Sequence, residues 1–201
     1  MKWLQHFRTI TRHKWLVMKH CFRVGLYKQG FLHDLSKYSW TEFSIGAKYF
    51  QGYRSPNAAE IEEKGYSTAW LHHKGRNKHH PEYWTDYNAR GDHSYSPIKM
   101  PTKYVVEMFC DRVAANKIYK TETYQDSDPL AYFERTKAHL IIHEESSELL
   151  RKLLTMLKDH GEEKTFLYIR ENIVRKEGEN LTFPSLNKEH LSEEFSTTNK
   201  E

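Results

Sequence analysis

The sequence predicts an all-α protein, with one helical-bundle domain over residues 1–175 that ends in a helical hairpin and a disordered tail over 176–201. Two observations support the fold class. Apolar residues recur at spacings of three, four and seven along most of the chain, as on one face of a helix, and strand-like alternation persists nowhere. Hydrophobic residues make up 38% of the 201 residues and aromatic residues 14%, which is enough for one buried core.

Each helix has its own signal in the sequence. Phe7, Ile10 and Val17 share one face of the first helix. The glycine at position 161 is a stop signal that separates two C-terminal helices into a hairpin. Residues 177–201 are rich in Glu, Asn, Ser, Thr and Lys, which is typical of a disordered tail. The predicted helices span 3–24, 31–50, 58–80, 102–118, 129–160 and 162–175.

Composition and charge exclude several classes of protein. The net charge of +4 is compatible with an anionic substrate, but no run of five like charges is present, so binding to nucleic acid is not favoured, although it stays open. No apolar run approaches 18 residues, which argues against a membrane span. Cys21 and Cys110 are far apart and predict two buried thiols in a reducing compartment. We expect a cytoplasmic protein.

The first candidate site is the run His33-Asp34-Leu35-Ser36-Lys37. A His-Asp dipeptide offers an imidazole nitrogen and a carboxylate oxygen, a pair that suits Mn, Fe, Zn, Co or Ni. Lys37 follows Asp34 by about one helical turn, where its ammonium group would neutralise a phosphate oxygen. The alternative is a partly buried His33 beside an ordinary Asp34–Lys37 ion pair.

The second candidate site consists of two histidine pairs, His72-His73 and His79-His80. Imidazoles crowded together without compensation have lowered pKa values, because burial and mutual repulsion both disfavour the charged form. A bound metal would relieve that cost. A basic, solvated surface patch is the alternative, and which member of each pair would be a ligand stays open.

Two further residues complete the candidate set. Asp111 lies beside the apolar face of the helix predicted over 102–118, and a buried carboxylate needs a cationic partner, either a metal or a basic group on another helix. His13 lies between Ile10 and Val17 on the inward face of the first helix. Both residues are therefore expected to point into the bundle.

The order of these residues along a helical chain resembles that of the HD-domain superfamily of metal-dependent phosphohydrolases. The chain is also similar, over about residues 5–175, to a family of uncharacterised bacterial and phage proteins, which supplies no function. The segments that support this second resemblance are HKWLV, GLYKQGFLHDLSKYSWTEF, AWLHHKGRNKHHPEYW and MPTKYVVEMFCDR.

The superfamily resemblance implies a bundle of the HD-domain type and one or two divalent metal ions. The ligands of the first ion would be His13, His33, Asp34 and Asp111. A second ion would add His73 and either His79 or His80. Superfamily members usually place more residues between the first histidine and the dipeptide than the twenty found here. His20 is the alternative to His13, because on a simple antiparallel hairpin that turns near Tyr27 it would lie opposite His33.

The expected activity is hydrolysis of a nucleotide or another small phosphoester by a metal-activated water. Asp34 would bridge two ions, and the histidine left free of metal, assigned as His80, would protonate the leaving oxygen. The charge that develops on the phosphate would be neutralised by Lys37, with Arg76 or Lys78 as further substrate-binding residues.

Three other functions are compatible with the same residues. A di-iron site of the same ligand types would support oxygen-dependent oxidation. A non-catalytic helical module would hold a metal without an open coordination position. A His-Asn-His nuclease built on the second cluster requires a strand hairpin, which the pattern does not predict.

Overall fold

The computed structural model describes residues 1–88, 91 and 93–176, and eight α-helices account for most of them. The predicted all-α class is confirmed. The tail predicted over 176–201 lies, apart from residue 176, outside the described residues. The helices are α1 (Lys2–Arg23), α2 (Tyr27–Leu32), α3 (Trp40–Lys48), α4 (Pro56–Lys64), α5 (Thr68–Lys74), α6 (Thr102–Lys120), α7 (Asp128–Thr136) and α8 (Glu144–Ile169).

The hydrophobic core forms where α1, α6 and α8 pack against one another. Each helix buries apolar residues at helical spacing, and each fully buried Leu or Phe side chain contributes about 1.5–3 kcal/mol. The two cysteines, Cys21 and Cys110, are unpaired thiols inside this core, as the sequence predicted. The core includes Val17 and Val24 of α1, Val106, Phe109 and Val113 of α6, and Leu150, Leu153, Leu154 and Leu157 of α8.

The predicted helix over 31–50 is wrong in its middle. Helix α2 ends at Leu32, and a short 3-10 helix, Leu35–Tyr38, precedes α3. The backbone of Asp34 adopts a left-handed conformation, with φ 55° and ψ 23°, which interrupts the helical hydrogen bonds. Neither glycine nor proline is present at this point to signal the break.

The C-terminal hairpin is confirmed, with different boundaries. The helix predicted over 129–160 is divided into α7 and α8, and α8 is broken at Gly161, whose φ is 76° and ψ 173°. Nζ of Lys152 lies 3.1 Å from the hydroxyl of Tyr168, 16 residues later. A straight helix would separate them by about 24 Å, so the chain reverses at the glycine.

A short β-hairpin lies between the helices predicted over 58–80 and 102–118, where the sequence predicts no strand. Strands β1 (Thr85–Tyr87) and β2 (Tyr95–Pro97) pair in antiparallel fashion, with Asp86 opposite Ser96. Three-residue strands are too short to show alternation in the sequence, which explains the missed prediction. The hairpin lies beyond the His72–His80 run. No helix in the described part of the chain has the length and apolar character needed to cross a membrane.

Candidate metal centre

Four side chains from three parts of the bundle meet around one oxygen of Asp34. Nε2 of His13, on α1, lies 2.9 Å from Oδ1 of Asp111, on α6, and 3.6 Å from Oδ2 of Asp34. Nε2 of His33 lies 3.2 Å from the same Asp34 oxygen and 3.5 Å from Asp111 Oδ1. Neighbouring ligands of an octahedral or tetrahedral ion with bonds of about 2.1 Å are about 3.0–3.4 Å apart. The distances in the first group are therefore similar to those between neighbouring ligands of one divalent cation.

A second group of imidazoles faces the other oxygen of Asp34. Nε2 of His73, near the end of α5, lies 3.2 Å from Oδ1 of Asp34, and Nε2 of His79 lies 3.6 Å from the same oxygen. His80 completes the group, whose four ligand atoms lie within 4.8 Å of one another. The two groups thus share the carboxylate of Asp34: its Oδ2 faces the first group and its Oδ1 faces the second.

The backbone at the dipeptide explains how both His33 and Asp34 reach the cluster. Adjacent residues on a regular helix point about 100° apart. Here α2 has ended, and the left-handed residue Asp34 turns the chain so that both side chains are 1% exposed and face the same interior. A left-handed non-glycine residue carries strain of about 1–3 kcal/mol, a cost that is typical of functional sites.

Two buried glutamates orient the imidazoles from behind. Oε1 of Glu107 lies 2.9 Å from Nδ1 of His33 and 3.2 Å from Nδ1 of His79, and Oε2 of Glu42 lies 2.8 Å from Nδ1 of His73. A carboxylate only accepts hydrogen bonds, so each Nδ1–H donates to its glutamate and the opposite nitrogen, Nε2, faces the cluster. Histidines that bind metals are commonly held by this arrangement.

Among the described residues, five polar atoms that face the middle of the cluster make no well-aligned hydrogen bond, although oppositely charged groups lie close to several of them. These atoms are buried, and an unsatisfied buried polar group costs about 1–3 kcal/mol. A cation would satisfy the lone pairs of the nitrogens and the charge of the oxygen at once. The atoms are Nε2 of His13, His33, His79 and His80 and Oδ1 of Asp34.

The electrostatics of the cluster keep its carboxylates ionised. Burial alone would raise the pKa of Asp34, but the adjacent His33 and the ammonium of Lys37 hold that pKa well below its ordinary value. The pKa of Asp111 is likewise lowered against burial, by His13 and His33. Ionised carboxylates beside imidazole nitrogens are the state in which a divalent cation binds.

Lys37 lies against the cluster and lines the adjoining cavity. Its Nζ is 2.5 Å from Oδ2 of Asp34. The Asp34–Lys37 ion pair, which the sequence allowed as an alternative to a metal site, is therefore present. A cation bound by the first group would compete with this ammonium group for the same oxygen.

His80 occupies one of the two places considered for it from the sequence. It belongs to the second group of possible ligands, where it was the alternative to His79. Burial, together with repulsion from His79 and His73, lowers its pKa well below the ordinary value. A lowered pKa favours the uncharged imidazole, which is the form that binds a metal.

Two predicted substrate-binding residues lie elsewhere. Arg76 and Lys78 are exposed and are not among the residues that line the cavity. Nη1 of Arg76 lies 3.4 Å from the carbonyl oxygen of His72, and Nζ of Lys78 lies over the rings of Tyr83 and Tyr104. Both follow α5 in a loop that turns its charged side chains outward.

Two of the histidines considered as ligands face other partners. Nδ1 of His20 lies 3.3 Å from the carbonyl oxygen of Cys110, and its ring packs on Phe166, two turns of α1 beyond His13. His72 lies beside His73, but its Nδ1 is 2.6 Å from Oε1 of Glu42. The geometry therefore brings His13 and His73 to the cluster, and neither His20 nor His72.

The glutamates behind the histidines were not found from the sequence. Glu107 precedes Asp111 by four residues and thus shares its helical face, which is a signal that could have identified it. Glu42 follows Ser39 by three residues, a spacing that predicts only a helix cap, and Ser39 does cap α3. The carboxylate of Glu42 turns instead towards the histidines of α5.

A cavity of about 720 Å³ opens beside the cluster. His13, His73, His80, Asp111 and Lys37 form one end of its wall. The remaining wall is a mixture of aromatic and charged side chains from α3, α6 and α7. A site of this size and lining can accept a small polar molecule next to the cluster.

Comparison with known proteins places the chain in a family. The model of a family of unknown function, DUF5662, matches residues 2–156, and the chain belongs to this family. No curated protein and no solved structure matches the chain. The matched segment includes every residue of both groups around Asp34.

Proposed function

For this member of the DUF5662 family, we propose metal-dependent hydrolysis of a small phosphoester, such as a nucleotide, at two divalent cations bridged by Asp34. One observation supports the proposal above all others. Each carboxylate oxygen of Asp34 faces its own group of buried imidazoles, and the ligand atoms of each group lie within 4.8 Å of one another. A shared carboxylate between two such groups is the arrangement that a two-metal hydrolase requires.

The donor set restricts the cations. Imidazole and carboxylate ligands without thiolate favour Mn, Fe, Zn, Co or Ni. Cations held in this way activate water for attack on phosphorus and polarise the phosphoryl oxygens. The first cation would take His13, His33, Asp34 and Asp111, and the second would take Asp34, His73, His79 and His80.

Lys37 is the residue that would contact the phosphate. Its side chain lines the cavity, is 30% exposed and extends to the edge of the cluster. Once a cation neutralises Asp34, the ammonium group becomes available to an anionic ligand. A positive charge at that position stabilises the charge that develops on the phosphoryl oxygens.

The resemblance to the HD-domain superfamily adds support, since the order of His13, His33-Asp34 and Asp111 matches the ligand order of those phosphohydrolases. The four residues lie on three separate parts of the chain. Nε2 of His13 lies 3.6 Å from Oδ2 of Asp34 and 2.9 Å from Oδ1 of Asp111, and Nε2 of His33 lies 3.2 Å from Oδ2 of Asp34. Residues so far apart in sequence meet only through the packing of α1, α2 and α6.

The test combines metal analysis with an activity screen. Purified protein would be analysed for bound metals, stripped with a chelator, reloaded with single metals and assayed on phosphodiesters and nucleotides. We expect hydrolysis that disappears on stripping and returns on reloading. In Lys37→Ala, metal content should be retained and turnover should fall about 100- to 1000-fold. Lys120→Ala is the matched control, because Lys120 also lines the cavity but is paired with Asp128.

The screen also separates the competing functions. Iron in the purified protein, with product formed only in the presence of oxygen, would identify an oxidase. Tightly bound metal with no turnover on any substrate would indicate a structural module. Unchanged turnover in Lys37→Ala would remove the assigned role of that lysine.

A further inference from the structure

Two guanidinium groups in the cavity wall have no acidic partner. Among the described residues, no carboxylate oxygen lies within 4.0 Å of the guanidinium of Arg112 or Arg135, although both side chains line the cavity. The other lining cations are paired: Lys37 with Asp34, Arg54 with Glu62, and Lys120 with Asp128. Unpaired guanidinium groups facing a cavity are available to an anionic ligand.

Arg112 is the more buried of the two. Burial lowers the pKa of its guanidinium, and its Nε is buried without a hydrogen-bond acceptor. Asp111 and Glu82 are the acidic groups that influence it, but neither reaches it within 4.0 Å. A buried cation with an unused donor is costly unless a ligand supplies the acceptor.

The two guanidinium groups share Tyr132 as an aromatic neighbour. The Cζ atom of Arg112 lies 5.8 Å from the centre of the Tyr132 ring, and the Cζ atom of Arg135 lies 5.3 Å from it. Contacts of this kind orient a guanidinium while leaving its N–H groups free. The pair therefore forms a positively charged subsite at the α6–α7 side of the cavity.

The subsite is close to the candidate metal centre. Asp111, Arg112 and Arg135 all line the one cavity of about 720 Å³. A small molecule in that cavity can therefore contact both the cluster and the guanidinium groups. Two planar, fork-shaped donors are matched to the oxygens of a phosphate group.

We propose that Arg112 and Arg135 bind a second phosphate group of the substrate, so that the protein selects compounds with two or more phosphates over monophosphates. This inference rests on the proposed function, because it assumes that the substrate's other phosphate is the one hydrolysed at the cations. The binding step itself requires no metal.

Binding of inorganic pyrophosphate to metal-free protein, measured by calorimetry, tests the proposal. We expect pyrophosphate to bind more tightly than orthophosphate. Arg112→Gln should weaken pyrophosphate binding about tenfold or more, because hydrogen bonds between charged groups are lost. Arg135→Gln should weaken it about threefold, as expected for a more exposed group. Arg54→Gln, a cavity arginine that is paired with Glu62, should leave the affinity unchanged.

Arg135 is exposed, so its substitution tests the proposal even if Arg112→Gln fails to fold. The proposal is overturned if Arg135→Gln binds pyrophosphate as tightly as the unaltered protein, or if Arg54→Gln weakens binding equally. It is also overturned if orthophosphate and pyrophosphate bind alike. Failure of the hydrolysis screen, with arginine-dependent pyrophosphate binding intact, would count against the proposed function alone.

Discussion

Oε1 of Glu107 lies 2.9 Å from Nδ1 of His33. The same oxygen is 3.2 Å from Nδ1 of His79, so a single carboxylate on α6 orients one histidine from each of the two groups around Asp34. His33 belongs to the first group and His79 to the second. Glu107 thus links the two candidate metal positions through hydrogen bonds, as Asp34 links them directly.

Replacing this carboxylate should weaken binding at both positions. In Glu107→Gln the side-chain oxygen still accepts one hydrogen bond, but the negative charge that makes both imidazoles better ligands is lost. We expect metal affinity to fall about 10- to 100-fold. Competition with a chromophoric chelator would measure it.

Glu42→Gln is the matched control for that experiment. Glu42 contacts Nδ1 of His73, which belongs only to the second group. Its substitution should therefore weaken one binding event and leave the other unchanged. Equal weakening of both events by the two variants would contradict the separate roles given to these glutamates.

Metal stoichiometry should distinguish the shared aspartate from the unshared one. Asp111 belongs only to the first group, so Asp111→Ala should reduce the content from two ions per chain to one. Asp34→Asn should weaken both binding events, because the amide is uncharged and keeps one oxygen where the carboxylate offers one to each group. Asparagine tolerates the left-handed backbone at this position, where φ is 55°, so the fold should be retained. Elemental analysis after gel filtration measures the content, and two ions retained in Asp34→Asn would exclude the bridge.

The contribution of His20 to the stability of the metal-free protein should decline as pH falls from about 6.5 to 4. Burial lowers the pKa of His20 to about 4, whereas histidine in an unfolded chain titrates near 6.5. The unfolded state therefore takes up a proton first, and folding loses up to about 3 kcal/mol across that range. Below about pH 4 the loss from this residue is complete.

The variant His20→Asn isolates this contribution. Its amide can still donate to the Cys110 carbonyl oxygen but does not titrate. Urea denaturation at several pH values should show a smaller decline than in the unaltered protein. His160→Asn, at an exposed position, is the control and should keep the full decline. The same decline in both variants would refute the role of His20.

The contact between α1 and α3 depends on a glycine. A Cβ atom at Gly46 would lie 2.2 Å from Nε2 and 2.5 Å from Cε1 of the His6 imidazole. Gly46→Ala forces that buried ring to move and should cost about 1–3 kcal/mol of unfolding free energy. Denaturant titration of metal-free protein would measure the loss.

Gly75→Ala provides the comparison for Gly46→Ala. Gly75 has φ −75° and ψ −7°, a conformation that alanine adopts easily, and the nearest atom to an added Cβ is 3.4 Å away. This variant should change stability by no more than about 0.5 kcal/mol. A loss at Gly75 as large as that at Gly46 would show that packing against His6 is not the cause.

The sequence by itself determined the helical class and most of the residues in the cluster. Periodic apolar residues placed His13 on the inward face of α1 and Asp111 beside the core face of α6, and the structure has both there. The chemistry of clustered histidines and aspartates indicated a shared cation before any contact was known.

Tertiary structure alone decided which oxygen of Asp34 faces which histidines. It also decided that the carboxylates of Glu107 and Glu42 orient those histidines. The left-handed turn at Asp34 has no local signal in the sequence, because the packing of α1 and α6 around the dipeptide imposes it. Arg76 and Lys78 looked like substrate ligands in sequence, yet their loop turns them to solvent, while Arg112 reaches the cavity. Sequence spacing reports which residues share a helical face, and only packing between helices brings separate faces together.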